Sequence, residues 1–353
     1  MALATPTNLA IPQSKSMAGS GLRGLTRRPE VGSLVGLVAV FLFFAVFGGK
    51  QFVSASGVAS WLNVAAEVGM VALPVGILMI AGKLDLSIGA VIPASSLTLA
   101  VISGYYKVPI ILGIAAALAM SLAVGLINGV LVLRTRVPSL IVTIGTMFAV
   151  MGLTLGLSVL LTGATSTALV PTPLFKALLG QFVGGMFEIA IFWWVAFTVI
   201  LAFVLHVSPY GNWIFALGGD EQSARNAGIP TDGLTVALFM ISSFSAGFLG
   251  ICQVMTYQSA QVAGGQSFIF NSIMCVVMGG VLLTGGFGSI VGIVFGTITF
   301  SIVNQGIYYT PFDPNLGSVI IGALLLVAVL TNDTFRHLAL SAIGKKKAVR
   351  AGK

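Results

Sequence analysis

Ten long apolar runs, separated by short polar or Gly/Pro-rich breaks, make up most of the chain: 31–48, 61–81, 86–104, 108–133, 138–162, 188–207, 233–255, 270–284, 288–305 and 316–331. Crossing the hydrocarbon core of a bilayer takes about 20 predominantly apolar residues, so most of these runs have the length of a membrane helix. Only 7% of the 353 residues are charged and 57% are hydrophobic, whereas about a quarter of a soluble domain is charged. That is too little charge to cover a water-facing surface. The sequence predicts an all-α, polytopic membrane protein of about ten crossings. One folded unit spans 31–335, flanked by a flexible tail over 1–30 and a basic tail over 336–353.

The chemistry available is limited. With two histidines, two cysteines and nine carboxylates, no zinc or other metal site and no disulfide framework is expected. Cys252 and Cys275 lie inside apolar runs and read as small buried hydrophobes. No paired carboxylates or nucleophile–base arrangement occur at catalytic spacing, so no catalytic residues are assigned and an enzyme is disfavoured. A proton relay would need a chain of intramembrane carboxylates or histidines, and none is present.

Charge sets orientation. Lys15, Arg23, Arg27 and Arg28 precede the first acid, Glu30, and the run 31–48 is too long for a signal-peptide core and lacks an A-x-A cleavage pattern. With the N-terminus inside, fourteen basic residues fall on inner segments, and only Lys50, Lys107 and Lys176 fall outside. This positive-inside asymmetry predicts both termini in the cytoplasm. The net charge of +8 is therefore topogenic, and no nucleic-acid partner is needed. Lys345, Lys346 and Lys347 read as contacts to anionic membrane lipid.

Small residues recur within the runs, at Gly113, Gly125, Gly129, Gly145, Gly152 and Gly156, then at Gly279, Gly280, Gly285, Gly286, Gly288, Gly292 and Gly296. Such residues let helix backbones approach closely in lipid. Two interruptions stand out. Glu67 lies within the second run, as a helix-end carboxylate near the outer interface or as a polar group on a hydrated path. Lys83 and Asp85 break the stretch from 61 to 104, either as a turn between helices or as a helix break in which Asp85 and Ser87 cap the next helix.

The longest inner polar stretch is the loop 208–232. Within it Asp220 is placed to cap a short helix with Glu221 in its first turn, Ala224 small on one face, and Gly228 ending it before Pro230. Glu221 and Arg225 stand at i,i+4. This is either a solvated connection or a compact element for docking another protein.

Gly218-Gly219-Asp220-Glu221-Gln222-Ser223-Ala224-Arg225-Asn226-Ala227-Gly228-Ile229 resembles the GGNExAARxxGI loop of the sugar-type ABC importer permeases, which include ribose, xylose, arabinose and galactoside permeases. Gly82-Lys83-Leu84-Asp85-Leu86-Ser87-Ile88-Gly89 resembles that family's GGIDLSVG segment. Asn271 through Gly280, with Thr284 through Gly292, resembles its AxxVIGGxxLxGGxGSxxG segment. The motifs occur in the family's order, and the resemblance covers about 31–335. Lys83, Asp220 and Asn271 depart from the residues usual at their positions.

The resemblance implies a type II importer-like permease bundle in the bacterial inner membrane. It would pair with a second copy or a similar permease, bind cytoplasmic ABC ATPase subunits, and receive a monosaccharide from a periplasmic sugar-binding protein. No G-x-x-x-x-G-K-[ST] phosphate loop occurs, so no cofactor is expected on this chain, and ATP and Mg would sit on the partner ATPase. Gly218, Gly219, Asp220, Glu221, Ala224, Arg225 and Gly228 would form the ATPase-coupling element. Asn63, Glu67, Asp85, Ser87, Asn128, Thr146, Asn271 and Asn304 are candidates for lining the translocation path, and Lys83 would pair locally with Asp85 or alter substrate selection. The alternative is a stand-alone secondary transporter or channel for a small polar solute, which predicts inverted repeats. The one internal echo, between 79–104 and 283–306, relates spans of the same direction.

Overall fold

The computed structural model describes residues 29–135, 137–323 and 326. The tail 1–28, Arg136 and the basic segment 336–353 lie outside the described residues. Ser54 opens the central helix of the bundle. Its hydroxyl accepts the Gly57 amide at 3.2 Å, and the chain then stays helical for 26 residues. Before this point come α1 (Pro29–Phe47) and the single turn α2 (Gly49–Phe52). The central helix, α3 (Ala55–Ile80), is almost wholly buried from Val68 onward. It begins six residues before the apolar run does, because the small residues 55–60 read as punctuation in the sequence yet are helical once capped. Glu67 therefore sits in the middle of a helix rather than at its end.

After a break at 81–87, α4 (Ile88–Leu99) runs into a π-helical turn, Ala100–Tyr105. The long helices α5 (Ile110–Thr135) and α6 (Ser139–Thr162) follow. A polar stretch then carries β1 (Ser166–Ala168), α7 (Pro173–Leu179), β2 (Phe182–Val183) and β3 (Phe187–Glu188). Next come α8 (Ala190–His206), α9 (Pro209–Gly219), the short α10 (Glu221–Asn226) and α11 (Thr231–Tyr257). The strand β4 (Ser259–Gln261) pairs antiparallel with β1. The bundle continues with α12 (Gln266–Met278), α13 (Ile290–Gly306) and an apolar helix over Pro314–Ala323. Around α3 pack α8, α11, α12 and α13, while α11 also lies along α4 and α5.

Among the described residues seven helices are long and apolar enough to cross a bilayer. The pair α8 and α9, bent by 73°, adds an eighth if taken as one span. Two of the ten predicted segments, and the predicted inner loop, differ. The run 270–284 is α12, 13 residues long, which ends where Gly279 and Gly280 allow the chain to leave the helix. Gly280 has φ +87°. The run 316–331 is described as helix only to residue 323, apart from 326. The loop expected at 208–232 opens with a helix, because Gly211, Ile214 and Leu217 of α9 form a buried face that the surrounding Pro and Gly obscure in the sequence.

The segment 279–289 between α12 and α13 is irregular, and several of its amides are paired. Gly279, Gly280 and Val281 donate to Cys275, Val277 and Val276, and Gly286 donates to the Ile80 carbonyl at 2.7 Å. Non-helical backbone at membrane depth needs such burial in protein. Glycines carry the close approaches: a Cβ at Gly279 or Gly292 would meet backbone of the other helix at 2.6 and 2.2 Å. The glycines of α6 do not follow this pattern. Gly145, Gly152 and Gly156 have no heavy atom within 4 Å of a built Cβ, so the same sequence signal marks no helix contact within this chain. Cys252 and Cys275 are both buried.

Candidate functional site

The three glycine-rich motifs, far apart in sequence, meet at one end of the bundle. Gly82, at φ +76°, ends α3, and its amide donates to Met79 at 2.9 Å. Gly218 of α9 lies directly against this turn: a Cβ there would fall 1.8 Å from the Ile80 oxygen and 2.6 Å from the Gly286 nitrogen. Gly285, at φ +82°, closes the third side, with a Cβ position 2.8 Å from the Gly82 Cα. Backbone therefore packs on backbone, and no side chain fits between. Nearby, the His206 Nε2 accepts the Ile290 amide at 3.3 Å, satisfying the start of α13.

From this junction projects α10. The Asp220 carboxylate accepts the Ser223 amide at 2.6 Å, and this hydrogen bonding holds its carboxyl below the usual carboxylate range. Ala224 is buried, Glu221 is half-buried, and the other four helix residues are exposed. Gly228, at φ +83°, ends the turn, and Ile229 donates back to the Ala224 carbonyl at 3.1 Å. Lys83 does not pair with Asp85. Its Nζ lies 2.7 Å from the Glu221 Oε2, while the Asp85 carboxylate is taken up by Ser87 and Ser242 in the interior. Arg225 bonds Asp232 at the start of α11 and stands 3.8 Å from Glu221. A six-residue helix is thus tied on one side to the end of α3 and on the other to α11.

Asp85 points inward, 1% exposed. It accepts the Ser87 amide at 3.0 Å and the Ser87 hydroxyl at 2.6 Å through Oδ1, and the Ser242 hydroxyl at 2.8 Å through Oδ2. Asp85 serves the entry to α4, while the Ser87 side chain caps nothing. Instead the Ser87 hydroxyl accepts from Asn128 at 2.8 Å, and Asn128 accepts from Thr146 at 2.6 Å. Four expected path residues thus join in one network that crosses the 81–87 loop, α5, α6 and α11. Ser242, which sequence reasoning missed, completes it.

The other candidates separate. Asn63 holds the β2–β3 hairpin, donating to Met186 at 2.9 Å and accepting from Glu188 at 3.0 Å. Glu67 accepts from Gln253 and from the Tyr257 hydroxyl, both at 3.2 Å, and Tyr257 also stands 3.3 Å from Glu188. Burial holds the Glu188 carboxyl above the usual range, partly offset by that hydrogen bond. Asn271 and Asn304 are half-buried; Asn304 accepts only from its neighbour Gln305, and Asn271 makes no side-chain hydrogen bond among the described residues.

A bundle of apolar helices, broken by glycine-lined irregular backbone and bearing a charge-tethered short helix at one end, defines a polytopic membrane permease. The family model described as "Branched-chain amino acid transport system / permease component" matches residues 57–329, and the chain belongs to this family. Its relatives include the fructose import permease FrcC of Rhizobium meliloti, 29% identical over 318 residues, covering 88% of this chain and 87% of that protein. The ribose import permease RbsC of Escherichia coli K12 is 27% identical over 322 residues, 89% and 97% of the two chains. The xylose/arabinose import permease XylH of Sulfolobus acidocaldarius is 28% identical over 324 residues, 87% and 86%. No solved structure matches.

Proposed function

We propose that this chain is the membrane subunit of an ATP-driven importer that moves a monosaccharide inward across the cytoplasmic membrane by alternating access. The observation that carries the reading is α10: a capped, outward-facing helix joined by Lys83–Glu221 and Arg225–Asp232 to two membrane helices. A partner pressing on it would act on α3 and α11 together. The sugars named for the ribose, fructose and xylose/arabinose permeases support a monosaccharide as solute.

In this reading the chain makes ten crossings, with the 279–289 segment completing the one begun by α12, and both termini lie in the cytoplasm. The end bearing Lys83, Arg134 and Arg225 faces the cytoplasm, and the end bearing Lys50, Lys107 and Lys176 faces outward. Two such subunits, or one with a similar permease, bind ATPase subunits that carry ATP and Mg, and a soluble sugar-binding protein delivers the solute. The element from Gly218 to Gly228 is the coupling helix. The path runs along the half-buried faces that hold Asn271 and Asn304, and the Asp85–Ser87–Asn128–Thr146 network positions the helices around it.

Reconstitution with the partner ATPases tests this. Glu221→Lys or Gly228→Trp should abolish ATP-driven uptake while the chain still folds and inserts. Normal transport by either variant refutes the coupling role. Uptake by the chain alone, driven by a proton or sodium gradient, would favour a secondary transporter instead.

A further inference from the structure

At the end of the bundle away from α10, a cavity of about 290 Å³ opens between α4, the last turn of α11, β4 and the 263–265 turn. Its polar lining is Ser96, Gln253, Tyr257, Ser259 and Gln261. Tyr257 lies about 25 residues beyond Asp232 on α11, or about 38 Å along the helix axis at 1.5 Å per residue. The cavity is therefore a membrane thickness away from the coupling element.

Part of the hydrogen-bonding capacity of this lining is unspent among the described residues. Ser96 is 6% exposed, yet its hydroxyl has no partner among the described residues, and neither do the side chains of Ser259 and Gln261. Gln253 uses only its amide nitrogen, on Glu67, and its oxygen is left free. Ser96 is the buried member of this lining, while Tyr257, Ser259 and Gln261 are exposed toward its mouth, so the cavity offers a set of convergent hydrogen-bonding groups that a polar ligand can engage in place of water. Tyr257 adds a ring that is 55% exposed, and its hydroxyl is backed by the Glu67 and Glu188 carboxylates. A donor engaged on a carboxylate has an oxygen polarised to accept in turn.

The lining holds amides, hydroxyls and an aromatic face but no charged side chain. An amino acid would bring a carboxylate and an ammonium that need charged or strongly polar partners, and no Lys or Arg lines the cavity. A polyhydroxylated, uncharged ring suits it: hydroxyls for Ser96, Gln253 and Gln261, and a C–H face for Tyr257. The volume is at the small end of the roughly 300–1,000 Å³ range of ligand pockets. We propose that this cavity is the receiving subsite for the monosaccharide on the outer face of the permease, with Ser96, Gln253, Tyr257 and Gln261 as its binding residues. The inference rests on the transport function proposed above and adds the place and the recognition chemistry.

The test uses the full chain assembled with its ATPases and binding protein in liposomes, with D-ribose, D-xylose, D-fructose and L-leucine as probes. Gln261→Cys, which breaks no hydrogen bond, should react with a membrane-impermeant maleimide from the outer side. The sugar that is transported should slow this labelling at least fivefold, and L-leucine should not. Ser96→Met, which fills the cavity, should cut uptake of that sugar tenfold or more. A complex that takes up a sugar yet shows neither protection at Gln261→Cys nor loss in Ser96→Met overturns the subsite alone. Uptake of L-leucine and of none of the sugars overturns the subsite and the proposed function together.

Discussion

Gly218→Ala is the sharpest test of the motif junction, since one methyl group must enter a space that does not exist. The added Cβ would lie 1.8 Å from the Ile80 oxygen. Carbon–oxygen contacts settle near 3.3 Å or beyond, so about 1.5 Å of backbone movement is required. The movement must come from the last turn of α3 or from α9. It also breaks the 2.7 Å bond from the Gly286 amide to Ile80, leaving a carbonyl unsatisfied at a cost of about 1–3 kcal/mol. Overpacking adds about 1–3 kcal/mol. Taken together, about 2–6 kcal/mol is expected, and at about 1.4 kcal/mol per decade the mid-range shifts the folded population by two orders of magnitude or more. Gly219 is the control: a Cβ there meets nothing within 4 Å, so Gly219→Ala should be neutral or slightly stabilising. Thermal unfolding of the two purified variants in detergent, followed by tryptophan fluorescence, gives the comparison. Equal melting temperatures for these adjacent substitutions would refute the junction.

Lys83→Glu or Glu221→Lys alone should lower ATP-coupled transport, and the double exchange should restore it in part. A half-exposed pair contributes up to about 1 kcal/mol, so a double-mutant cycle with no coupling energy would remove the tether. At the cap, Asp220→Asn should retain the Ser223 bond and Asp220→Ala should not, read as amide exchange at Ser223 and Ala224. Because the folded pKa of Asp220 is depressed, its contribution is complete above the ordinary value of 3.8 and is lost as pH falls through the folded value. Amide protection should therefore be flat from pH 7 to 5 and decline only below about pH 4. Protection that declines between pH 7 and 5 would contradict the cap.

The places of the helices were largely readable, because apolarity sustained over twenty residues has few outcomes other than a membrane helix. Their ends were less so. Residues 55–60 became helix through a serine cap, and α9 is helical despite its Pro and Gly because Ile214 and Leu217 found a buried face. Local chemistry carried far: Asp220 and Gly228 bound α10 as their types require. Tertiary chemistry did not. Lys83 sits two residues from Asp85, yet its partner is 138 residues away, and no spacing rule reaches that distance. Ser242 lies in a serine-rich stretch of helix, where nothing separates the one hydroxyl that meets Asp85 from its neighbours. The glycines of α6 and those of α12–α13 look alike in sequence, and only the latter meet backbone.

The two ends of the molecule are joined through α11, which carries Asp232 beside the short helix α10 and Gln253 and Tyr257 at the cavity. A straight helix transmits tilt: over the roughly 22 Å from Ser242 to Tyr257, a rotation of about 5° moves the far end by about 2 Å, enough to break a hydrogen bond. Between those ends the Ser242–Asp85 bond pins α11 to the loop after α3, so it is placed as the pivot. Ser242→Ala removes the donor and leaves a buried carboxylate oxygen short of a partner, costing about 1–3 kcal/mol. If Ser242 is the pivot, this variant should bind its ATPases normally yet lose the link between ATP hydrolysis and uptake. Its effect should be non-additive with that of Arg225→Ala at the other contact on α11. Independent sites add within about 0.5 kcal/mol, so a cycle that closes within that limit would mean that the coupling element and the cavity communicate by another route.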